Sequence, residues 1–395
     1  MSQSETLNEC LCCGSARLAK YLDLGKQPLA NSFMETHVES ANLPRFDLSV
    51  NVCLDCWHSQ LTEAVDPSAM YRNYLWVTGT SKVSQEYYRD LVSYILLNTG
   101  RINPRVLDIA SNDGTLLQAF MDRGCEALGV DPAVNVVEIS RSRGHKVISD
   151  FWTDALAENL LPFDVITACN VVAHGANPYR FISNCRRALR SAGTLFVQTS
   201  HVDFLRKLEF ETVYHEHHSF FNTRSMAALA ERAGMSLRKT VFRPLDGRSY
   251  LFHLTSGKST FQDFGEVRQF EESAGTFNGS TYEQYQPRVN EVIQNLKHIL
   301  ESGMPTILYG APARATVLIN ACNYGLGNTP IRFAIDDNPL KHGRYIPGTA
   351  IQIHPIEKLR ELEKPTVVVM AWNFIDSIRP RIFEVCPKAK VVTYL

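Results

Sequence analysis

RVLDIASNDGTLLQAF, residues 105–120, is the stretch whose reading decides the fold. VLDI has the composition of a buried strand, SNDG is a polar turn, and TLLQAF resumes apolar residues at helical spacing. Asp108 lies at the strand end and Gly114 closes the turn, an arrangement in which backbone N–H groups and a helix N-terminus face a ligand. The spacing is not G-x-G-x-x-G, because Ala110 and Asn112 stand where a dinucleotide binder needs glycine. The next strand ends ALGVDP, placing Asp131 about twenty residues on, where a carboxylate accepts hydrogen bonds from both ribose hydroxyls. The pattern calls for an adenosine-type ligand other than a nicotinamide dinucleotide.

Working outward, SQEYYRDLVSYILL before this stretch repeats apolar residues at helical intervals. After it, ALGVDP, HKVISDF, FDVITACNVV and GTLFVQTS are short β-rich runs, each followed by a loop and an amphipathic stretch. Such alternation predicts an α/β domain with a mainly parallel sheet and helices on both faces. Asp150, Phe151 and Trp152 in SDFW stand at the next strand end, which by resemblance to class I methyltransferases is the position that cradles the adenine ring. The set of strand-end features is the layout of class I methyltransferases. Candidate cofactor contacts are therefore Asp108, Ala110, Ser111, Asn112, Asp113, Gly114, Asp131, Pro132, Asp150, Phe151, Trp152 and Asn170.

Upstream, two C-x2-C pairs, Cys10 with Cys13 and Cys53 with Cys56, have the spacing of a tetrahedral thiolate zinc site. Four protein ligands close the coordination sphere, so the expected role of the metal is structural. Cys12 offers a rival thiol inside the first pair. Between the pairs, Gly25 and Pro28 interrupt short apolar stretches, which predicts a small loop-rich unit over about residues 1–70.

Downstream of the main stretch, ETVYHEHHSFF is the densest polar cluster, and it follows GTLFVQTS on the carboxyl side of the sheet, where open α/β folds bind ligands. A histidine there is a candidate general base, oriented by the adjacent carboxylate or phenol. His174, in NVVAHGANP, is expected at the rim of the same cleft. From residue 261 the texture becomes polar and helix-forming, and from about 303 a second strand–helix alternation begins with PTILYGAPARATVL. Gly310 in that turn, Arg314 beyond it, and Asp336 and Asp337 at the next strand end suggest a second nucleotide-type unit, with a purely structural turn as the rival reading.

CLCCG, YLDLGKQPLANSF, CLDCW, YLWVTGTS, VLDIASNDGTLL, GVDP, VYHEHHSFF, YGAPARA, AIDDNPLKHGRYIPGT and AWNF, in this order, resemble the motifs of three-domain sugar C-methyltransferases. The resemblance spans nearly the whole chain. It implies a small N-terminal zinc-binding module (1–70), a central Rossmann-like class I methyltransferase domain using S-adenosylmethionine (71–260), and a helical linker with a C-terminal Rossmann-like domain (261–395). It also implies a nucleotide-linked 4-keto-deoxysugar substrate methylated at C-3. In that family's pattern His217 is the base, Tyr214, Glu216 and His174 support it, and Tyr74 lies near the reacting groups. Gly310, Arg314, Asp336 and His342 are the expected substrate contacts. Arg314 stands where the family more often has lysine, and DGRSYLF departs from the commoner glycine-rich pattern, so sugar and nucleotide remain unspecified by these motifs.

Composition restricts the alternatives. Lys plus Arg number 40 and Asp plus Glu 41, a net charge of -1, which argues against a nucleic-acid partner. There is no membrane-length apolar run and no basic-then-apolar leader, so a cytoplasmic monomer or homodimer is expected. An O- or N-methyltransferase, or a non-catalytic scaffold of the same fold, are the competing readings.

Overall fold

The computed structural model describes residues 4–66, 70, 77–80, 82–200, 203–244, 248–256, 263–302, 305–324 and 329–394. Tyr74 lies outside the described residues.

The N-terminal unit holds strands β1 (Ser4–Thr6), β2 (Leu18–Pro28), β3 (Arg45–Cys53), β4 (Ser59–Leu61) and β5 (Glu63–Val65). β2, β3 and β4 pair antiparallel in sequence order, and β1 pairs with β5. The expected loop-rich unit is thus more regular than its sequence suggests. β2 runs eleven residues by absorbing Gly25 in a register shift between Asp23 and Lys26. Gly25 takes φ +69°, a conformation glycine adopts without the Cβ penalty, so the interruption becomes a bulge instead of a break.

The central sheet contains β6 (Arg105–Ile109), β7 (Glu126–Val130), β8 (Val147–Ile148), β9 (Phe163–Cys169), β10 (Leu189–Thr199), β12 (Met235–Arg243) and β13 (Ser249–Ser256). Its order is β12-β13-β10-β9-β6-β7-β8, parallel from β8 to β10, with β13 antiparallel to both neighbours. β6 and β9 are buried along almost their whole length, as strands covered by helices on both faces must be. The chain builds outward from β6 to β8, then returns to place β9 on the other side of β6. That reversal opens a crevice at the carboxyl ends of β6 and β9. The helix Lys82–Thr99 precedes β6 as the sequence predicts.

β11 (Ser219–Phe220), in the middle of the central domain's sequence, pairs with β4 instead, extending the N-terminal sheet. The C-terminal part begins with helices Gly265–Ser273, Gly279–Glu283 and Tyr285–Leu300. It continues as an all-parallel sheet of β14 (Thr306–Tyr309), β15 (Ile331–Ile335), β16 (Ile353–His354), β17 (Thr366–Val369) and β18 (Lys390–Val392), in the order β16-β15-β14-β17-β18. This is the order of β8-β7-β6-β9-β10.

The three parts share one core. Leu22, Leu48 and Val50 of the N-terminal unit cluster with Phe210 and Val213 of the central part and with Tyr285, Leu308 and Leu318 of the C-terminal part. Burying each such side chain stabilises by about 1.5–3 kcal/mol. Among the described residues no helix is long and apolar enough to cross a membrane.

Candidate active site

The turn after β6 is held in a strained path. Ala110, Asn112 and Gly114 all take positive φ, at 61°, 49° and 81°, and so does Asn170 at the end of β9, at 52°. Left-handed non-glycine residues cost of order 1 kcal/mol or more each, and they gather where a backbone must present itself to a ligand. At Gly114 a Cβ would lie 2.0 Å from His145 Nδ1, so no side chain fits.

Asp131 organises this turn. Its Oδ2 accepts the Asn112 N–H at 2.9 Å and its Oδ1 the Ala133 N–H at 2.9 Å, and each oxygen has a further lone pair with which it can accept from a ligand. Asp108 is buried behind it and accepts from Thr167 Oγ1 at 2.7 Å, and burial pushes its carboxyl up to about 7. Among the described residues, three buried polar atoms at the carboxyl ends of the strands have no partner: Ser111 Oγ after β6, Asn170 Oδ1 after β9 and Thr199 Oγ1 at the end of β10. Unpaired buried polar groups are costly, and a polar ligand in the crevice relieves them, which fits S-adenosylmethionine.

Other candidate cofactor residues do different work. Asn112 Oδ1 accepts the Thr78 N–H at 3.0 Å, and Asp113 accepts the Gly79 N–H at 2.9 Å while pairing with Arg143. They fasten the segment 77–80 over the turn. Asp150 is exposed and accepts from the Phe151 N–H, and Phe151 is 44% exposed. Trp152 packs into the core beneath them, and Pro132 is half-buried behind Asp131.

The segment Tyr214–His218 is almost wholly buried, with His215, Glu216, His217 and His218 at 1%, 5%, 6% and 0% exposure. It is stitched down on several sides. The His218 N–H donates to the Ala173 carbonyl at 2.8 Å, and His218 Nδ1 lies 3.1 Å from the His174 carbonyl. His215 Nε2 reaches the Phe46 carbonyl of β3. The segment then runs into β11 on the N-terminal sheet.

His217 Nδ1 lies 2.8 Å from the Thr212 carbonyl oxygen, which only accepts. Nδ1 therefore carries a proton and donates it to that carbonyl. The Tyr214 ring is 4.0 Å from the imidazole, centroid to centroid, and the His174 ring 4.9 Å. Burial holds His174 down at about 4, so its ring is neutral at pH 7. Glu216 Oε1 accepts from Asn31 Nδ2 at 2.7 Å, and burial pushes the Glu216 carboxyl up to about 7.

At the N-terminus the Sγ atoms of Cys10, Cys13, Cys53 and Cys56 all lie within 4.8 Å of one another, with Cys10–Cys56 and Cys13–Cys53 at 3.5 Å. Zinc–sulfur bonds of about 2.3 Å in a tetrahedron put sulfurs roughly 3.8 Å apart, so the quartet fits one zinc ion. Each pair is a similar turn: the Gly14 N–H donates to the Cys10 carbonyl and the Trp57 N–H to the Cys53 carbonyl, both at positive φ. Cys12 is buried outside the quartet.

The C-terminal turn repeats the donor turn. Gly310 (φ 90°) donates its N–H to the Ile335 carbonyl at 2.7 Å, as Ala110 does to Val130. Asp336 accepts the Ala311 and Asn338 N–H groups at 2.8 and 2.9 Å, as Asp131 does its own pair. Here, however, Lys341 Nζ occupies Asp336 Oδ2 and the Ala311 carbonyl, and His342 Nε2 contacts the Asp336 carbonyl at 2.8 Å. Arg314 faces Glu211, a fully buried carboxylate 3.9 Å away that also accepts from Tyr394 Oη at 2.9 Å. Asn31 lies in the quoted YLDLGKQPLANSF, and Glu211 and Thr212 open ETVYHEHHSFF, but only tertiary contact gives these three residues a role.

The fold and the donor turn define an S-adenosylmethionine-dependent methyltransferase. Three family models match in order: a zinc binding domain at residues 10–71, a methyltransferase domain at 81–240 and a C-methyltransferase C-terminal domain at 248–393. In this order the three models account for most of residues 10–393. It is similar to the C-methyltransferase NovU of Streptomyces niveus, 26% identical over 385 residues, 94% of this chain and 91% of that protein. A ubiquinone biosynthesis O-methyltransferase of Xylella fastidiosa is 28% identical over 114 residues, 27% of this chain and 46% of its own length. Among solved structures, an S-adenosylmethionine-dependent methyltransferase from Clostridium acetobutylicum covers 45% of this chain and 94% of its own at 12% identity, with a TM-score of 0.37.

Proposed function

We propose that this C-methyltransferase acts on a nucleotide-linked 4-keto-deoxysugar, methylating C-3 after His217 removes the C-3 proton. Carbon is a weak nucleophile until a neighbouring carbonyl lets its proton leave, so the reaction needs a positioned base and a stabilised enolate. S-adenosylmethionine supplies the methyl group on a sulfonium that is already electrophilic. His217 Nε2 takes the proton, and the Thr212 carbonyl at Nδ1 stabilises the imidazolium that results. Tyr214 and Glu216 flank the base and orient the ketone, and His174 narrows the site from the turn after β9. The nucleotide lies toward Gly310, Arg314, Asp336 and His342.

The observation that carries this reading is the buried His217, its Nδ1 held by the Thr212 carbonyl and its ring against Tyr214 and His174. The test is methyl transfer from labelled S-adenosylmethionine to a panel of nucleotide-linked keto-sugars, with the position of the label read in the product. His217→Ala is expected to abolish transfer while binding the donor as wild type does. Label on oxygen or nitrogen, or full activity in His217→Ala, refutes the proposal.

A further inference from the structure

We infer that Asn31, a residue of the zinc-binding module, positions Glu216 for catalysis: its side-chain amide fixes the carboxyl group in one orientation and favours its ionised form. The inference rests on Glu216 serving the reaction proposed above, and it starts from the Asn31 Nδ2–Glu216 Oε1 contact of 2.7 Å. The two residues are 185 positions apart in sequence and come from different domains.

The turn that carries Asn31 is anchored by the C-terminal part. Thr316 Oγ1 donates to the Ala30 carbonyl at 3.0 Å, both residues being buried, and the Tyr345 N–H donates to the Met34 carbonyl at 2.9 Å. Phe33 enters the shared core, with Lys341 Nζ 5.2 Å from its ring centre. Asn31 itself is exposed, so the placement of its amide is set by these anchors and not by its own burial. Three domains therefore converge on one hydrogen bond.

The chemistry assigns the bond a sense. Burial alone favours a neutral carboxyl, and a donated N–H favours the anion. Among the described residues, the titratable groups around the site are Tyr214, His215 and His217 on the same segment, His174 on the turn after β9, Asp47 of β3 beside His215, and Lys341 beyond Phe33. The Asn31 amide opposes burial at Glu216.

The test uses the full-length, zinc-loaded protein and the variants Asn31→Ala, Asn31→Asp and Asn31→Gln. Glu216 is titrated directly by carbon-13 NMR of labelled glutamate carboxyls, assigned with Glu216→Gln. Its midpoint is expected to rise by about one pH unit in Asn31→Ala, a roughly 10-fold loss of the anion below neutrality. Asn31→Asp, which sets a second carboxylate against it, raises the midpoint further, and Asn31→Gln restores part of the loss. The acid limb of kcat against pH shifts in the same order, with donor affinity unchanged. An unmoved midpoint in both Asn31→Ala and Asn31→Asp overturns the inference, as does a raised KM with kcat and its pH profile intact. If wild type methylates none of the keto-sugars, the functional proposal fails, while the NMR titration still decides whether Asn31 controls Glu216.

Discussion

Replacing Asp131 with Asn separates the donor turn from its C-terminal twin. Asp131 is 5% exposed, and its two oxygens hold the Asn112 and Ala133 N–H groups at 2.9 Å each. An amide of the same shape turns one acceptor into a donor facing an N–H, and it removes the charge that ribose hydroxyls bond. A hydrogen bond to a charged group contributes about 1.5–3 kcal/mol, so losing the charge-assisted pair weakens donor binding by about 3 kcal/mol, or ~100-fold in Kd. Titration calorimetry with S-adenosylmethionine and with its demethylated product measures this, and circular dichroism checks the fold. Asp336→Asn disturbs the same hydrogen-bond pattern in the C-terminal turn, where Lys341 already occupies the carboxylate. It is expected to leave donor affinity unchanged. Equal weakening by both substitutions, or an Asp131→Asn protein within about threefold of wild type, refutes the assignment of the donor to the β6 turn.

Further outcomes follow from the same geometry. Metal analysis is expected to find one zinc per chain, retained in Cys12→Ser and lost in Cys53→Ser, with a lowered unfolding temperature in the latter, because the β11–β4 pairing ties the candidate segment to the metal-held unit. Glu216 is raised from 4.5 to about 7 in the folded protein. Its contribution to stability is therefore complete below about pH 4.5 and is lost as pH rises through 7. Urea unfolding at several pH values should give a shallower decline between pH 5 and 8 in Glu216→Gln than in wild type. Tyr394→Phe removes a donor from the buried Glu211 and is expected to destabilise by about 1.5–3 kcal/mol in chemical unfolding, read from the midpoint at constant slope.

Local pattern made the central and C-terminal sheets readable. Strand runs such as VLDI and FDVITAC are buried on both faces, so their composition announces them, and the strand-end Asp108 and Asp131 follow from the turn between. The cysteine quartet was equally legible, because metal geometry imposes its spacing. The regular β2 was hidden by Gly25, which reads as a break until the partner strand shows a bulge. The roles of Asn112, Asp113 and Arg314 were not legible: the first two are polar in a ligand-facing turn and the third opens a helix after one, and only tertiary packing reveals that they bond Thr78 and Gly79 and face Glu211. The link from Asn31 to Glu216 spans domains and leaves no mark on either local sequence.

Hydrogen exchange at C-3 of the keto-sugar tests the central claim most directly. With wild-type enzyme in deuterated water and the demethylated donor in place of S-adenosylmethionine, deuterium should enter C-3 with no methyl transferred, and His217→Ala should stop it. Exchange that persists undiminished in His217→Ala, or its absence from a wild-type enzyme that still methylates the sugar, contradicts a histidine-generated enolate.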